Sequence, residues 1–287
     1  MNNKVMMLIK NILENPSNKL KEVIRSGTKA NIMGDSLEDY IKNAFANTFF
    51  EDSKKLDIHE QFYSWNGNQN NPPDMIIRND IAIEVKKIEG YGNIALNSSF
   101  PKSKINSCSN MITKSCKECE GNKIWEKDLV YCIGKVNKNK ISDLFIVYGR
   151  LYAANEEVYI RIKKKIETGI EEIQDIEFTE TNELGKVKKV DPLGITDLRI
   201  RGMWSINNPY NVYKYIPEIK NSKQSGKDYI VNVLIPIDCI NLKELIDIKK
   251  LSEEYSFFSY YKIKVKNPNN PSKLIECYLL RIEIEVN

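Results

Sequence analysis

Residues 71–87 read NPPDMIIRNDIAIEVKK, and they set two acids and a lysine where a strand pair ordinarily buries apolar side chains. Asp74 opens the apolar run MII, Glu84 and Lys86 sit within IAIEVK, and a polar turn over 78–80 separates the two. Residues two apart on a strand share a face, so Ile81, Ile83 and Val85 point one way and Ala82, Glu84 and Lys86 the other. A three-residue loop over 78–80 then sets Ile77 opposite Ile81 and Asp74 opposite Glu84, with Lys86 one step along the same face. Like charges directly opposite are destabilising. A divalent cation resolves that conflict, because paired carboxylates are hard oxygen ligands suited to Mg²⁺, which keeps several waters in its shell. The competing reading is a hairpin whose polar face simply meets solvent. Pro73 directly before Asp74, the apolar alternate face and an acid-bearing helix upstream weigh against it.

The remaining chemistry is narrow. With His59 as its single histidine, the chain lacks the imidazoles needed by His-Asn-His nucleases, two-histidine phosphodiesterases and His-triad hydrolases. Catalysis must run on carboxylates, lysine, cysteine or metal. Cys116-x-x-Cys119 has one zinc-knuckle spacing, with Cys108 upstream and Cys132 downstream. Structural Zn²⁺ needs four converging ligands and a second such pair is missing, so reduced thiols are the better reading. No thioredoxin-like strand precedes the pair, which argues against redox catalysis.

LRIRGMW places Arg199 and Arg201 on one face of an expected strand. Arginine's planar fork can read guanine O6 and N7, and it serves equally well on phosphate. NSSFPKSK, just after the acid-bearing strand, offers Ser98, Ser99, Lys102 and Lys104 as a phosphate-contact loop, or an ordinary surface turn. RIKKK at 161–165 reads as a solvated helix face. Lys262, Lys264 and Lys266 share one strand face, as edge protection requires.

The elements that must hold these groups follow from periodicity. Val5, Leu8, Ile9, Ile12 and Leu13 mark a first helix, and GDSLEDYIKNAFANTF a second, capped by Asp35 or Ser36. DIHEQFYSW reads as a strand, NGNQNNPP as a loop, and residues 94–124 as a polar segment containing a helix. KDLVYCIGKV and SDLFIVYGRLYAA pair as a hairpin. Ile162, Ile166, Ile170 and Ile173 mark a helix over 156–173; ITDLRIRGMW reads as one strand and EIKNSKQSGKDY as a linker. Together these predict an α/β (α+β) fold on a mixed sheet, one domain over 1–287 with a β-hairpin at about 257–287.

Bulk properties agree. Hydrophobic content of 41% and charged content of 29% describe a globular chain, and a net charge of +4 permits a polyanionic partner without demanding one. No apolar run reaches membrane-spanning length and the N-terminus lacks a small-residue cleavage site, so a cytoplasmic location without membrane partners is the expectation.

PD-x(9)-EVK resembles the PD-(D/E)xK nuclease signature. GNQNNPPD, IAIEVKKIE, ALNSSFPKSK, MITKSC, VDPLGIT and LRIRGMW resemble NgoPII-type restriction endonucleases, in order, from about residue 27 to about 215. The signature alone is loose; several blocks in one order are specific. The resemblance implies a restriction-endonuclease-like core, a central mixed β-sheet flanked by helices. It implies Mg²⁺-dependent cleavage of double-stranded DNA at a short palindrome, GGCC in the family's namesake. Asp74 and Glu84 match its metal-binding acids and Lys86 its catalytic lysine, with the Val85 carbonyl completing the metal shell. Glu38 matches a helix-borne acid found in many such nucleases; Asp39 in the same turn could serve instead, and a helix-dipole role explains either. A palindromic target implies a twofold homodimer, and restriction implies a cognate DNA methyltransferase. A repair or junction nuclease on the same core, and a DNA-binding module with an inactive core, are the alternatives.

Overall fold

The computed structural model describes residues 3–21, 29–50, 53–67, 71–109, 112–121, 123–181, 184–222 and 226–285. From the N-terminus, α1 (Lys4–Glu14), α2 (Lys29–Ala46) and α3 (Lys55–Phe62) lead into β1 (Tyr63–Trp65), β2 (Met75–Ile77) and β3 (Ala82–Ile88). Next come β4 (Ile94–Asn97), β5 (Lys104–Asn106) and α4 (Lys114–Glu118), then the long hairpin β6 (Glu126–Asn137) and β7 (Lys140–Tyr148). After α5 (Gly149–Tyr152) and α6 (Glu156–Glu171) follow β8 (Glu177–Thr179), β9 (Gly185–Lys188), β10 (Leu198–Ile200) and β11 (Trp204–Ile206). The chain closes with α7 (Pro209–Val212), α8 (Pro217–Ser222), β12 (Tyr229–Pro236), α9 (Leu242–Glu254), β13 (Phe258–Asn267) and β14 (Asn270–Ile284).

The main sheet runs β1-β2-β3-β6-β7-β12-β14-β13, with β5 added to β6. β3 lies parallel to β6 and β7 parallel to β12, and the other neighbours are antiparallel, so the sheet is mixed as expected. Its central strands are apolar on both faces because both faces are covered: LFIVY on β7 and all eight residues of β12 are buried. α1 presents Val5, Leu8, Ile9 and Ile12 to this core, its first turn capped by the Asn3 side chain. α2 approaches closely at Gly134 of β6, where an added Cβ would stand 2.8 Å from the Leu37 side chain. The C-terminal hairpin forms the far edge, where Lys262 and Lys264 of β13 pair with Glu276 and Lys266 covers the Tyr215 ring.

Four segments depart from the sequence reading. Residues 57–62 are helical, not extended, because a helical turn brings His59 inward to Thr48; only Tyr63–Trp65 forms a strand. α2 begins at Lys29, so residues 35 and 36 lie inside it and not at its N-terminus. The expected single strand through LRIRGMW is broken: Leu198–Ile200 pairs with β9, and Trp204–Ile206 switches to β4. Arg199 and Arg201 therefore do not share one strand face. Part of the expected linker forms α8, and residues 223–225 lie outside the described residues. α6 forms where expected, but none of its residues is buried, and Ile162 and Ile166 remain 41% and 43% exposed.

Candidate active site

The β2–β3 hairpin has the register that the spacing implies. Met75 pairs with Ile83 and Ile76 with Ala82, while the Ile77 N–H donates to the Ile81 carbonyl at 2.9 Å. Asn79, at φ 56°, takes the left-handed position a three-residue hairpin loop needs. Continuing the register by one residue sets Asp74 opposite Glu84.

The turn is pinned from outside. The Asn79 N–H donates to both Glu120 carboxylate oxygens at 3.1 Å, and Lys127 Nζ, itself 3.1 Å from Glu120, donates to the Asp80 carbonyl. Glu120 and Lys127 are a buried pair that the sequence reading missed, since nothing local marks residues this distant from the hairpin as its anchor. On the other side Arg78 donates to the main-chain carbonyls of Glu60, Gln61 and Tyr63.

Asp74 is set by the loop before it. Gly67, at φ +72°, leaves room that a Cβ would fill at 2.2 Å from the Asp74 carbonyl oxygen, and the Trp65 indole N–H donates to the Pro73 carbonyl. Asp74 Oδ2 then accepts the Val85 N–H at 2.6 Å, and Lys86 Nζ donates to Glu84 Oε1 at 2.6 Å. The three side chains singled out by spacing are thus brought together. Burial and the Glu84 charge, with a smaller push from Glu38, hold the Asp74 carboxyl well above the usual carboxylate range, against Lys86 and the Val85 N–H. Burial works against the Lys86 ammonium, but Glu84 and Asp74 outweigh it and raise Lys86 above its ordinary value.

This donor set fits a hard divalent cation. Glu84 is 9% exposed, and its Oε2 is buried with no hydrogen-bond partner among the described residues. Asp74 sits beside it, disfavoured as an anion until positive charge arrives. Among the described residues no three His, Cys, Asp or Glu side chains converge tightly enough to enclose an ion. A site of two carboxylates completed by main chain, water and substrate oxygens is the arrangement Mg²⁺ takes. Glu38, near the middle of α2, acts on the pair through its charge.

A cleft of about 490 Å³ opens beside Lys86, walled by Lys87, Ile88 and Glu89, by Gly90, Gly92 and Asn93 of the following loop, and by the start of β4. β4 on its rim pairs with β11, Trp204 opposite Asn97, and Trp204 packs with Phe100 and Tyr159. Arg199 and Arg201 are exposed, and Ser98 and Ser99 are half-buried. Lys104 is exposed and paired with Glu126 at 2.6 Å. Lys102, expected on the same surface loop, is turned inward: its ammonium lies 3.9 Å from the Phe100 ring centroid and 3.4 Å from Glu156. Burial lowers the Lys102 pKa, and Glu156 offsets only part of that.

His59 is structural, its Nε2 2.8 Å from the Thr48 hydroxyl and its pKa lowered by burial. Cys116 and Cys119 meet at α4 and hydrogen-bond one another, with no third metal-ligating side chain among the described residues. No helix of the described chain is long and apolar enough to cross a membrane.

The family model for NgoPII restriction endonucleases matches residues 3–266. The chain is 42% identical over 273 residues, covering 94% of itself and 96% of the other protein, to the type II restriction enzyme NgoPII of Neisseria gonorrhoeae. No solved structure matches it. A likeness of that extent, over a hairpin that assembles the acids and the lysine, shows that the chain belongs to the NgoPII restriction endonuclease family.

Proposed function

We propose that this protein is a type II restriction endonuclease that makes double-strand breaks in DNA by Mg²⁺-dependent phosphodiester hydrolysis at a short G/C-rich palindrome such as GGCC. The observation that carries the reading is the Asp74–Glu84 pair, a half-buried and a buried carboxylate beside Lys86, with Glu84 Oε2 left open.

Asp74, Glu84 and the Val85 main-chain carbonyl would hold the Mg²⁺, which supplies charge to the scissile phosphate and lowers the pKa of a bound water. Glu38 reinforces the negative field around them. Lys86, kept charged by the two acids, offsets charge on the phosphate and orients the attacking water. With His59 buried against Thr48, the proton of the attacking water passes to solvent, and Lys86, already protonated, orients that water.

Arg199, Arg201, Lys104, Ser98 and Ser99 face the duplex along the cleft rim, and Lys102 reaches it only by leaving Glu156. Two copies related by a twofold axis would present one centre to each strand of a palindrome. Such an enzyme acts in the cytoplasm, on DNA that a cognate methyltransferase has not protected.

Digestion of a defined plasmid, with the fragment ends sequenced, tests the reading. We expect discrete fragments with a common palindrome at every end in Mg²⁺ and intact plasmid in EDTA. Random ends would leave a non-specific nuclease on the same core. Specific binding without cleavage in any divalent cation would leave a DNA-binding module.

A further inference from the structure

In α4 and at its C-cap, just before Glu120, the chain carries chemistry that cleavage does not use. Cys116 lies in α4, whose first turn is capped by the Thr113 side chain, and Cys119 is its C-cap. The Cys119 N–H donates to the Cys116 carbonyl at 3.4 Å, so the two sit one helical turn apart. That spacing puts their Cα atoms about 5 Å apart, inside the window a disulfide needs. The thiols already hydrogen-bond one another; Cys116 is buried and Cys119 half-buried, so a reagent reaches Cys119 first. The Ser64 hydroxyl stands within hydrogen-bond reach of Cys119 Sγ and donates to Glu120 Oε1 at 2.6 Å. The Cys116 hydrogen bond, with the nearby Lys127 ammonium, pulls Cys119 down to about 7, where much of it is nucleophilic thiolate at neutral pH. The Cys119 hydrogen bond, then burial, push Cys116 up.

Glu120, the residue after Cys119, receives the Asn79 N–H and pairs with Lys127, which holds the Asp80 carbonyl. These contacts fix the turn joining the Asp74 strand to the Glu84 and Lys86 strand.

We propose that Cys116 and Cys119 form a thiol–disulfide exchange site for low-molecular-weight disulfides, and that its oxidation slows DNA cleavage by loosening the 78–80 turn. The cleavage clause rests on the nuclease reading; the exchange site does not. The Cys119 thiolate attacks one sulfur of a disulfide RSSR and expels RS⁻, giving a mixed disulfide. Cys116 then loses its proton and attacks Cys119 Sγ, expelling the second RS⁻. In sum two protein thiols and RSSR give one protein disulfide and two RSH, so the protein is oxidised and the small disulfide reduced. The new bond draws Cys119 off Ser64 and removes the anion beside Lys127, at the hinge from which Glu120 grips the turn.

The test uses the full chain with Cys108→Ser, to silence the exposed thiol, and oxidised glutathione as the probe. Peptide mapping should find a Cys116–Cys119 disulfide while Cys132 and Cys277 stay free. Amide exchange across 78–80 should quicken, and plasmid cleavage should fall several-fold and return with dithiothreitol. Cys116→Ser should stop at a glutathione adduct on Cys119, and Cys119→Ser should cleave normally and ignore the oxidant. No Cys116–Cys119 disulfide overturns the exchange site. A disulfide with unchanged amide exchange at the turn overturns the coupling. A reduced protein that never cleaves counts against the nuclease reading, while mapping and amide exchange still decide this one.

Discussion

The Asp74 carboxylate accepts the Val85 N–H at 2.6 Å across the hairpin, which ties the acid ahead of one strand to the backbone of the next. It does so beside Glu84, and without a cation the arrangement costs stability, since burial and Glu84 both disfavour the Asp74 anion. Asp74→Asn should therefore abolish cleavage and raise the melting temperature in EDTA. Lys86→Ala should also abolish cleavage but lower the melting temperature, by about 3 kcal/mol in stability, because it strips the two acids of their cation. Specific DNA binding in Ca²⁺ should survive both. Melting curves in EDTA and gel shifts in Ca²⁺ separate the cases; shifts of the same sign would make these residues plain structural partners.

Gly67 supports the site without touching it chemically. At φ +72° and with the Asp74 carbonyl oxygen 2.2 Å from the place a Cβ would occupy, Gly67→Ala incurs backbone strain of about 1–2 kcal/mol and displaces Asp74. We expect cleavage to fall far more than the melting temperature. Plasmid nicking rates at several Mg²⁺ concentrations check this, and an unshifted Mg²⁺ dependence would show that Asp74 had stayed in place.

How much of this was legible depended on the range over which each group is held. The 74–86 hairpin follows from a period of two and a polar turn, so its register and shared face could be read directly, and the β6–β7 and C-terminal hairpins likewise. The α3 segment could not be, because Ile58 and Phe62 fit either period and the contact of His59 with Thr48 decides between them. The break after Ile200 is set by Trp204 packing with Phe100 and Tyr159, partners far away in sequence. Glu120 and Lys127 left no local trace for the same reason. Lys102 looked like a surface cation because most of NSSFPKSK is polar, while its burial comes from Phe100 within that run and from Glu156 of α6.

Lys102 makes a prediction in which function and stability move apart. Its folded pKa is lowered, by burial first, so it contributes full stability only above the unfolded value of about 10.4. As pH falls from there through the depressed folded value, the unfolded chain binds the proton more readily and stability is lost. Lys102→Met should therefore stabilise the protein at neutral pH, with a gain that fades as pH rises towards about 10.4. If Lys102 also serves DNA, cleavage should fall in the more stable variant. Denaturant midpoints measured across that range, alongside plasmid cleavage, decide it, and a variant less stable at neutral pH would assign Lys102 a net stabilising pair with Glu156.

Arg201 lies past the end of β10, three residues before Trp204 docks beside Asn97, so it sits at a break in the pairing and not on a strand face. An arginine held at its root by a packed neighbour and exposed at its tip can present its fork edge-on to a base, where a bidentate contact contributes about 1–3 kcal/mol of discrimination. Arg199, within the small sheet and further from that anchor, suits phosphate. Arg201→Ala should thus weaken binding to the cognate site by about tenfold to a hundredfold while leaving random DNA little changed. Arg199→Ala should weaken both alike and flatten the salt dependence. Competition binding at two salt concentrations distinguishes them, and an equal loss on both DNAs for Arg201 would place it on the backbone.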